Sequence, residues 1–194
     1  RDEPRSRLAA DLRACAVSLR QAAGDVLWTE GRCHPLLMLA GQSMDSARLT
    51  GPAVAYWREL AADSERILGP GALETLVVTG CLGEALMTAG QATEAVPAFQ
   101  RVLDGRADKL GPDHPGAIAA KVALGRALVA TGQPGDAVPL LEEALAGSEL
   151  VRGADHVDTL AAREEYAAAA LAAGKTAEAV GSYRHALADR ERIQ

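Results

Sequence analysis

Gly111-Pro112-Asp113-His114-Pro115 decides the reading of this chain, because it recurs. It returns downstream as Gly153-Ala154-Asp155-His156-Val157 and is foreshadowed upstream by Gly69-Pro70-Gly71, so that Gly69, Gly111 and Gly153 keep a 42-residue period. Gly90, Gly132 and Gly174 keep the same interval. Two independent landmarks on one period predict a repeat array. In such an array each helical unit is too small to bury its apolar face alone, and the core forms only where neighbours pack. An extended surface results, which makes a binding scaffold the leading functional class.

The copies align residue by residue. Ala95, Ala137 and Ala179 correspond; so do Leu82, Leu124 and Tyr166, then Gly83, Gly125 and Ala167, then Ala85, Ala127 and Ala169. Large residues recur at Phe99, Leu141 and Tyr183, and again at Leu103, Leu145 and Leu187. Small residues let two helices approach and large ones fill the gap between them. A shortened copy precedes these: Gly31-Arg32-Cys33-His34-Pro35 stands before Gly69-Pro70-Gly71 at an interval four short of the full period, and Met44, Ala47, Ala53 and Trp57 take the equivalent places. Its four missing residues are expected at a turn around Gly51-Pro52.

Leu82, Ala85, Leu86 and Ala89 are spaced as one face of a helix, as are Ala95, Phe99, Val102 and Leu103. Gly90, Gly132 and Gly174 are placed to end the first helix of each unit in a left-handed conformation without steric cost. Pro134 suits the first turn of the next helix, and Glu94, Asp136 and Glu178 put negative charge near its N-terminus. In the second turn of the unit, Asp113 is expected to cap the following helix, with Pro115 at an early helical position. No strand-like alternation competes with helix anywhere in the chain.

Composition agrees. Of 194 residues, 48% are apolar but only 3% aromatic, so the core must be built from Ala, Leu and Val. A net charge of -6 argues against nucleic acid as a partner, because phosphate binding needs a basic face. No apolar run reaches the roughly 20 residues of a membrane span. Cys15, Cys33 and Cys81 are odd in number and lack C-x-x-C spacing, which fits neither a disulfide framework nor a zinc knuckle and suits a reducing cytoplasm.

The residue types of chemistry are present without its arrangements. His34, His114 and His156 fall in equivalent linkers, but packed helices lie about 8–10 Å apart, too far for side chains to share one metal ion; they read as turn residues. Asp113-His114 and Asp155-His156 are adjacent in turns and lack the strained serine of a hydrolase. Glu142-Glu143 and Glu164-Glu165 are neighbours on helices, pointing about 100° apart, and read as solvated faces. No glycine-rich loop with Lys is present to hold a nucleotide phosphate. The expectation is therefore no catalysis, no metal and no cofactor.

With these residues in view the chain resembles the tetratricopeptide repeat family, in a 42-residue form similar to the repeats of kinesin light chains. Leu82-Gly83, Ala95 and Phe99 match the family signature, as do Leu124-Gly125, Ala137 and Leu141, and more loosely Tyr166-Ala167, Ala179 and Tyr183. Leu110-Gly111-Pro112-Asp113-His114-Pro115 looks like the linker of that subclass. The resemblance covers 31–194 and implies an all-α fold, a right-handed α-solenoid of antiparallel helix pairs. The expected organisation is an N-terminal helix over 1–30, either part of a preceding repeat or a cap, then a shortened unit at 31–68 and units at 69–110, 111–152 and 153–194, in one continuous solenoid.

The resemblance also implies a groove lined by the first helix of each unit. Carried over, its positions are Val77, Gly80, Glu84, Met87 and Thr88; Ala119, Val122, Arg126, Val129 and Ala130; Ala161, Glu164, Ala168, Leu171 and Ala172; and, in the shortened unit, Leu39, Gln42, Ser46, Leu49 and Thr50. This surface is small and apolar, with Glu84, Arg126 and Glu164 as its charges, and suits an apolar helix or extended segment of a protein or peptide partner. A further helix of the same protein is the other occupant. A carboxylate clamp would need more Lys, Arg and Asn than Arg126 supplies. Cys81, Ala123 and Glu165 stand where kinesin light chain repeats tend to carry a peptide-holding Asn.

The function implied is a protein-interaction scaffold in the cytoplasm. Alternatives are a ligand- or peptide-sensing regulatory module of a larger, nucleotide-switch type bacterial regulator, and an accessory array delivering a substrate protein to an attached enzyme. Both ends read as cut within the repeat register, from Arg1 to the closing Ala188-Asp189-Arg190-Glu191-Arg192-Ile193-Gln194. Apolar helix faces in 5–29 and 176–194 would then be open to end-to-end self-association.

Overall fold

The computed structural model describes residues 3–193, and their side chains over 9–187. Leu8 and the closing segment 188–194, to which the stacking expectation in part appealed, lie outside the described side chains. The chain divides into two compact units, Arg1–Gln91 and Ala92–Gln194. The first holds α1 (Glu3–Ala23), a 3-10 turn (Gly24–Leu27), β1 (Trp28–Thr29), β2 (Arg32–Cys33), α2 (Pro35–Ser46), α3 (Thr50–Leu68) and α4 (Leu73–Thr88). The second holds α5 (Ala92–Leu110), α6 (Pro115–Ala130), α7 (Pro134–Arg152), α8 (Val157–Ala172) and α9 (Thr176–Ile193). Within each unit consecutive helices pack on one another, and α6 also packs on α8. The fold is an all-α repeat solenoid.

Chain reversal after each first helix is a local device. Gln91, Gln133 and Lys175 each donate their N–H to the carbonyl five residues back, on Leu86, Leu128 and Ala170, at 2.8 Å. The preceding Gly90, Gly132 and Gly174 hold φ of 74°, 78° and 79°, the left-handed closure that favours glycine. In the shortened copy Leu49 N–H donates to Met44 at 3.0 Å, and the left-handed place is taken by Arg48 with φ 55°.

That closure relocates the missing residues. α3 has 19 residues, as do α5 and α7, whereas α2 has 12 against 16 in α4, α6 and α8. Gly51-Pro52 lies inside the first turn of α3, not at a shortened turn. A Cβ on Gly41 would come within 2.2 Å of the Trp57 ring, and one on Gly125 within 2.5 Å of Leu141. Gly41 is thus the close-approach glycine of its unit, one full period before Gly83, and the lost residues form one helical turn ahead of it. Four residues are close to one turn, so the buried face rotates by only about 40°. Met44 and Ala47 therefore correspond to Leu86 and Ala89 rather than to Leu82 and Ala85.

Two further expectations are corrected. Trp28↔Cys33 and Thr29↔Arg32 pair as a small antiparallel hairpin, which two-residue strands are too short to announce by alternation. The helix caps are the histidines, not Asp113: Nδ1 of His34, His114 and His156 accepts the N–H of Leu36, Gly116 and Asp158 at 3.3, 3.0 and 3.1 Å. Asp113 stands one residue too early to reach these amides. At α4 the cap position is Ala72, extended at φ -64° and ψ 141° and lacking a capping side chain. Ala72→Ser is expected to stabilise by about 0.5–1 kcal/mol, and Arg48→Gly by about 1 kcal/mol through relief of the left-handed backbone. Urea unfolding followed by far-UV circular dichroism measures both.

The cores are rich in alanine, as the composition required. Trp57, Leu37, Leu60, Leu76 and Val78 fill the first unit; Phe99, Leu124 and Leu141 stand among Ala117, Ala127, Ala137, Ala144, Ala167, Ala169 and Ala170 in the second. Linker geometry is fixed by buried hydroxyls: Thr75 Oγ1 donates to the Gly69 carbonyl at 2.9 Å and Thr159 Oγ1 to that of Gly153 at 2.8 Å.

Candidate partner-binding faces

In the first unit the candidate face runs along α2 and α4. Leu39 is 57% exposed and Val77 37%. Gln42, Ser46, Glu84 and Thr88 are exposed, while Gly80 and Met87 are half-buried. Leu39, Gln42 and Val77 come together in an open cleft of about 720 Å³, with Met38, Pro35, Leu73 and Glu74 as further walls and Glu30, Gly31, Arg32 and Cys33 of the hairpin along one side. Ser46, Gly80, Glu84 and Met87 lie outside the lining of this cleft. Leu49 and Thr50 are in the turn and at the start of α3, a consequence of the relocated deletion.

Sequence reasoning missed the hairpin side of the cleft and Leu73. A signal existed for Leu73, four residues before Val77 on the same helical stripe. None existed for Glu30, Arg32 and Cys33, which the chain reversal delivers.

Glu74 ties the hairpin to α4. Its Oε1 accepts the Cys33 N–H at 3.3 Å and the Cys33 thiol at 3.1 Å. Burial, and next the hydrogen bond to Glu74, push the Cys33 thiol up to about 12. The neutral thiol is inert, since the thiolate is the nucleophile. At about pH 8 an alkylating agent is therefore expected to modify the exposed Cys15 and spare Cys33 until the chain unfolds, as peptide mass spectrometry reads out. Because the folded thiol holds its proton beyond the unfolded one, the Cys33 contribution is complete below about pH 9 and lost as pH rises toward 12.

In the second unit the face runs along α6 and α8. Ala119 and Leu171 are exposed; Val122, Arg126, Val129, Glu164 and Ala168 are half-buried. Val122 and Val129 also pack against the core cluster of Ala137, Val138, Leu141 and Ala169, so only part of each faces outward. Glu164 and Ala168 meet in a separate open cleft of about 500 Å³ completed by Glu165, Tyr183, Ala186 and Leu187. Beside it, burial and then the hydrogen bond to Glu178 at 3.2 Å raise the Tyr166 hydroxyl above its ordinary value.

No group of three metal-ligating side chains exists among the described residues, and no helix among them is long and apolar enough to cross a membrane. These faces offer exposed apolar side chains, two open clefts and a few charges.

Residues 72–150 match the family model described as tetratricopeptide repeat. No curated protein matches the chain in sequence. Among solved structures, the kinesin light chain nearly identical TPR-like repeats of Podosopora anserina are 24% identical with a TM-score of 0.74, covering 98% of this chain and 92% of that one. BtubC (BKLC) from P. vanneervenii is 14% identical with a TM-score of 0.75, covering 99% and 74%. MamA protein is 17% identical with a TM-score of 0.63, covering 97% and 88%. Residues 72–150 are thus tetratricopeptide repeats by sequence, and along almost its whole length the chain shares the fold of solved tetratricopeptide-like repeats.

Proposed function

We propose that this chain is a noncatalytic scaffold that binds an apolar-faced segment of a partner protein along its first-helix surfaces, α2 and α4 in one unit and α6 and α8 in the other. Tetratricopeptide repeats are in general protein-interaction scaffolds, and a shape of this kind is used with many partners. The observation that carries the proposal is the cleft of about 720 Å³ in the first unit, where Met38, Leu39, Leu73 and Val77 stay accessible beside Gln42, Glu30 and Arg32. Apolar anchors with a polar rim favour a helix or extended peptide with spaced apolar side chains.

The test begins with peptides selected from a display library on the unmodified chain. Their affinities are measured by fluorescence anisotropy for that chain, for Leu39→Glu with Val77→Glu, and for Ala119→Glu with Leu171→Glu, each verified as helical. At least one pair is expected to weaken binding by about tenfold or more, the equivalent of about 1.4 kcal/mol. Selected peptides that bind all three proteins equally would move the site off these faces and defeat the proposal.

A further inference from the structure

We infer that α1 is an ionically latched flap, able to leave the first unit while α2, α3 and α4 stay folded. Its apolar hold is slight: among its described residues only Ala16 is buried, and Leu12, Cys15 and Leu19 point to solvent. Charged side chains do the holding. Arg20 pairs with Glu59 and, at 2.7 Å, with Asp63 on α3, its guanidinium 5.9 Å from the Tyr56 ring centre. Arg13 donates to Ser43 Oγ on α2 at 3.0 Å. Just past α1, Asp25 meets Arg66 of α3 at 2.7 Å, and Arg66 holds its carboxyl below the usual range.

Two observations mark this latch as weakly closed. The Arg20 side chain is nine-tenths buried, yet its Nε has no hydrogen-bond acceptor among the described protein groups. A desolvated cation with an unsatisfied donor returns much of what its ion pairs gain. The seam is also open to water: a cleft of about 260 Å³ lies among Arg20, Gln21, Gly24, Trp28, Asp63 and Arg66. The other halves of the pairs reach water, Glu59 being 59% exposed and Asp25 65%, so salt screens them. Local opening draws on segments with few buried apolar contacts, and over its described residues α1 is such a segment. Opening would return the Arg20 head to water and uncover the Tyr56 ring.

Hydrogen exchange of the full chain, resolved by segment, tests this. Raising NaCl from about 0.05 to about 1 M is expected to speed exchange in α1 by about tenfold while α3 and α4 change by less than about twofold. Arg20→Ala, and independently Glu59→Gln with Asp63→Asn, are expected to leave α1 fast at every salt concentration with α3 and α4 protected as before. The inference is overturned if α1 exchange ignores salt and both variants, or if α1 opens only together with α3 and α4.

Discussion

Trp57→Ala is expected to lower the stability of the first unit by about 3–5 kcal/mol. Trp57 is fully buried, its Nε1 donates to Asp45 Oδ2 at 2.9 Å, and its ring stands edge-on to Tyr56 with centres 5.8 Å apart. Of the chain's two tryptophans, both in that unit, Trp57 is the one with no exposed surface, and Trp28 keeps an edge at the surface. The ring lies directly over Gly41, where an added Cβ would come within 2.2 Å of it. Gly41→Ala should accordingly cost about 1–3 kcal/mol in the unmodified chain and little once Trp57 is Ala. The coupling, measured by segment-resolved hydrogen exchange of α2 to α4, reports the contact itself. Costs that simply add would place the Trp57 ring elsewhere.

The second large effect has a sign that local and tertiary physics dispute. Glycine inside a helix is worse than alanine by about 1 kcal/mol, so helix propensity alone makes Gly125→Ala stabilising. Packing says the reverse, because the new Cβ would stand 2.5 Å from Leu141 Cγ. Overpacking of a closed core costs about 1–3 kcal/mol and wins. Leu141→Ala by itself should cost about 2–5 kcal/mol, and the double variant less than the two costs together. Gly80→Ala is the control: nothing lies within 4 Å of its added Cβ, and it should gain about 0.5–1 kcal/mol. Denaturant melts of these proteins decide it. A stabilising Gly125→Ala would mean that α6 and α7 are not in close approach there.

The reach of sequence reasoning follows from the range of the interactions. The 42-residue landmarks, the helical faces and the left-handed glycines at 90, 132 and 174 are written in neighbours a few positions apart, and all were legible. The small-residue core followed from composition. Local spacing misled in the shortened copy: counting from His34 puts Met44 opposite Leu82, whereas the turn closed by Arg48 and the contact of Gly41 with Trp57 set it opposite Leu86. A whole lost turn hardly rotates the face, so periodicity could not locate the loss.

The candidate faces divide in the same way. Their helices were read from spacing and their positions carried over from the family resemblance, but contacts between residues far apart in sequence decide how much of each side chain is offered. Val122 and Val129 are partly spent on the core around Leu141. The cleft beside Leu39 and Val77 owes one side to Glu30, Arg32 and Cys33, held by Glu74 forty-one positions after Cys33. By itself the sequence determined the repeat, its helices and its reversals, because these depend on backbone conformation and on side chains one turn apart. Only the tertiary structure decided which glycine is pressed by which large residue, where the shortened unit lost its turn and what encloses the cleft, because those depend on packing across helices that no local pattern encodes.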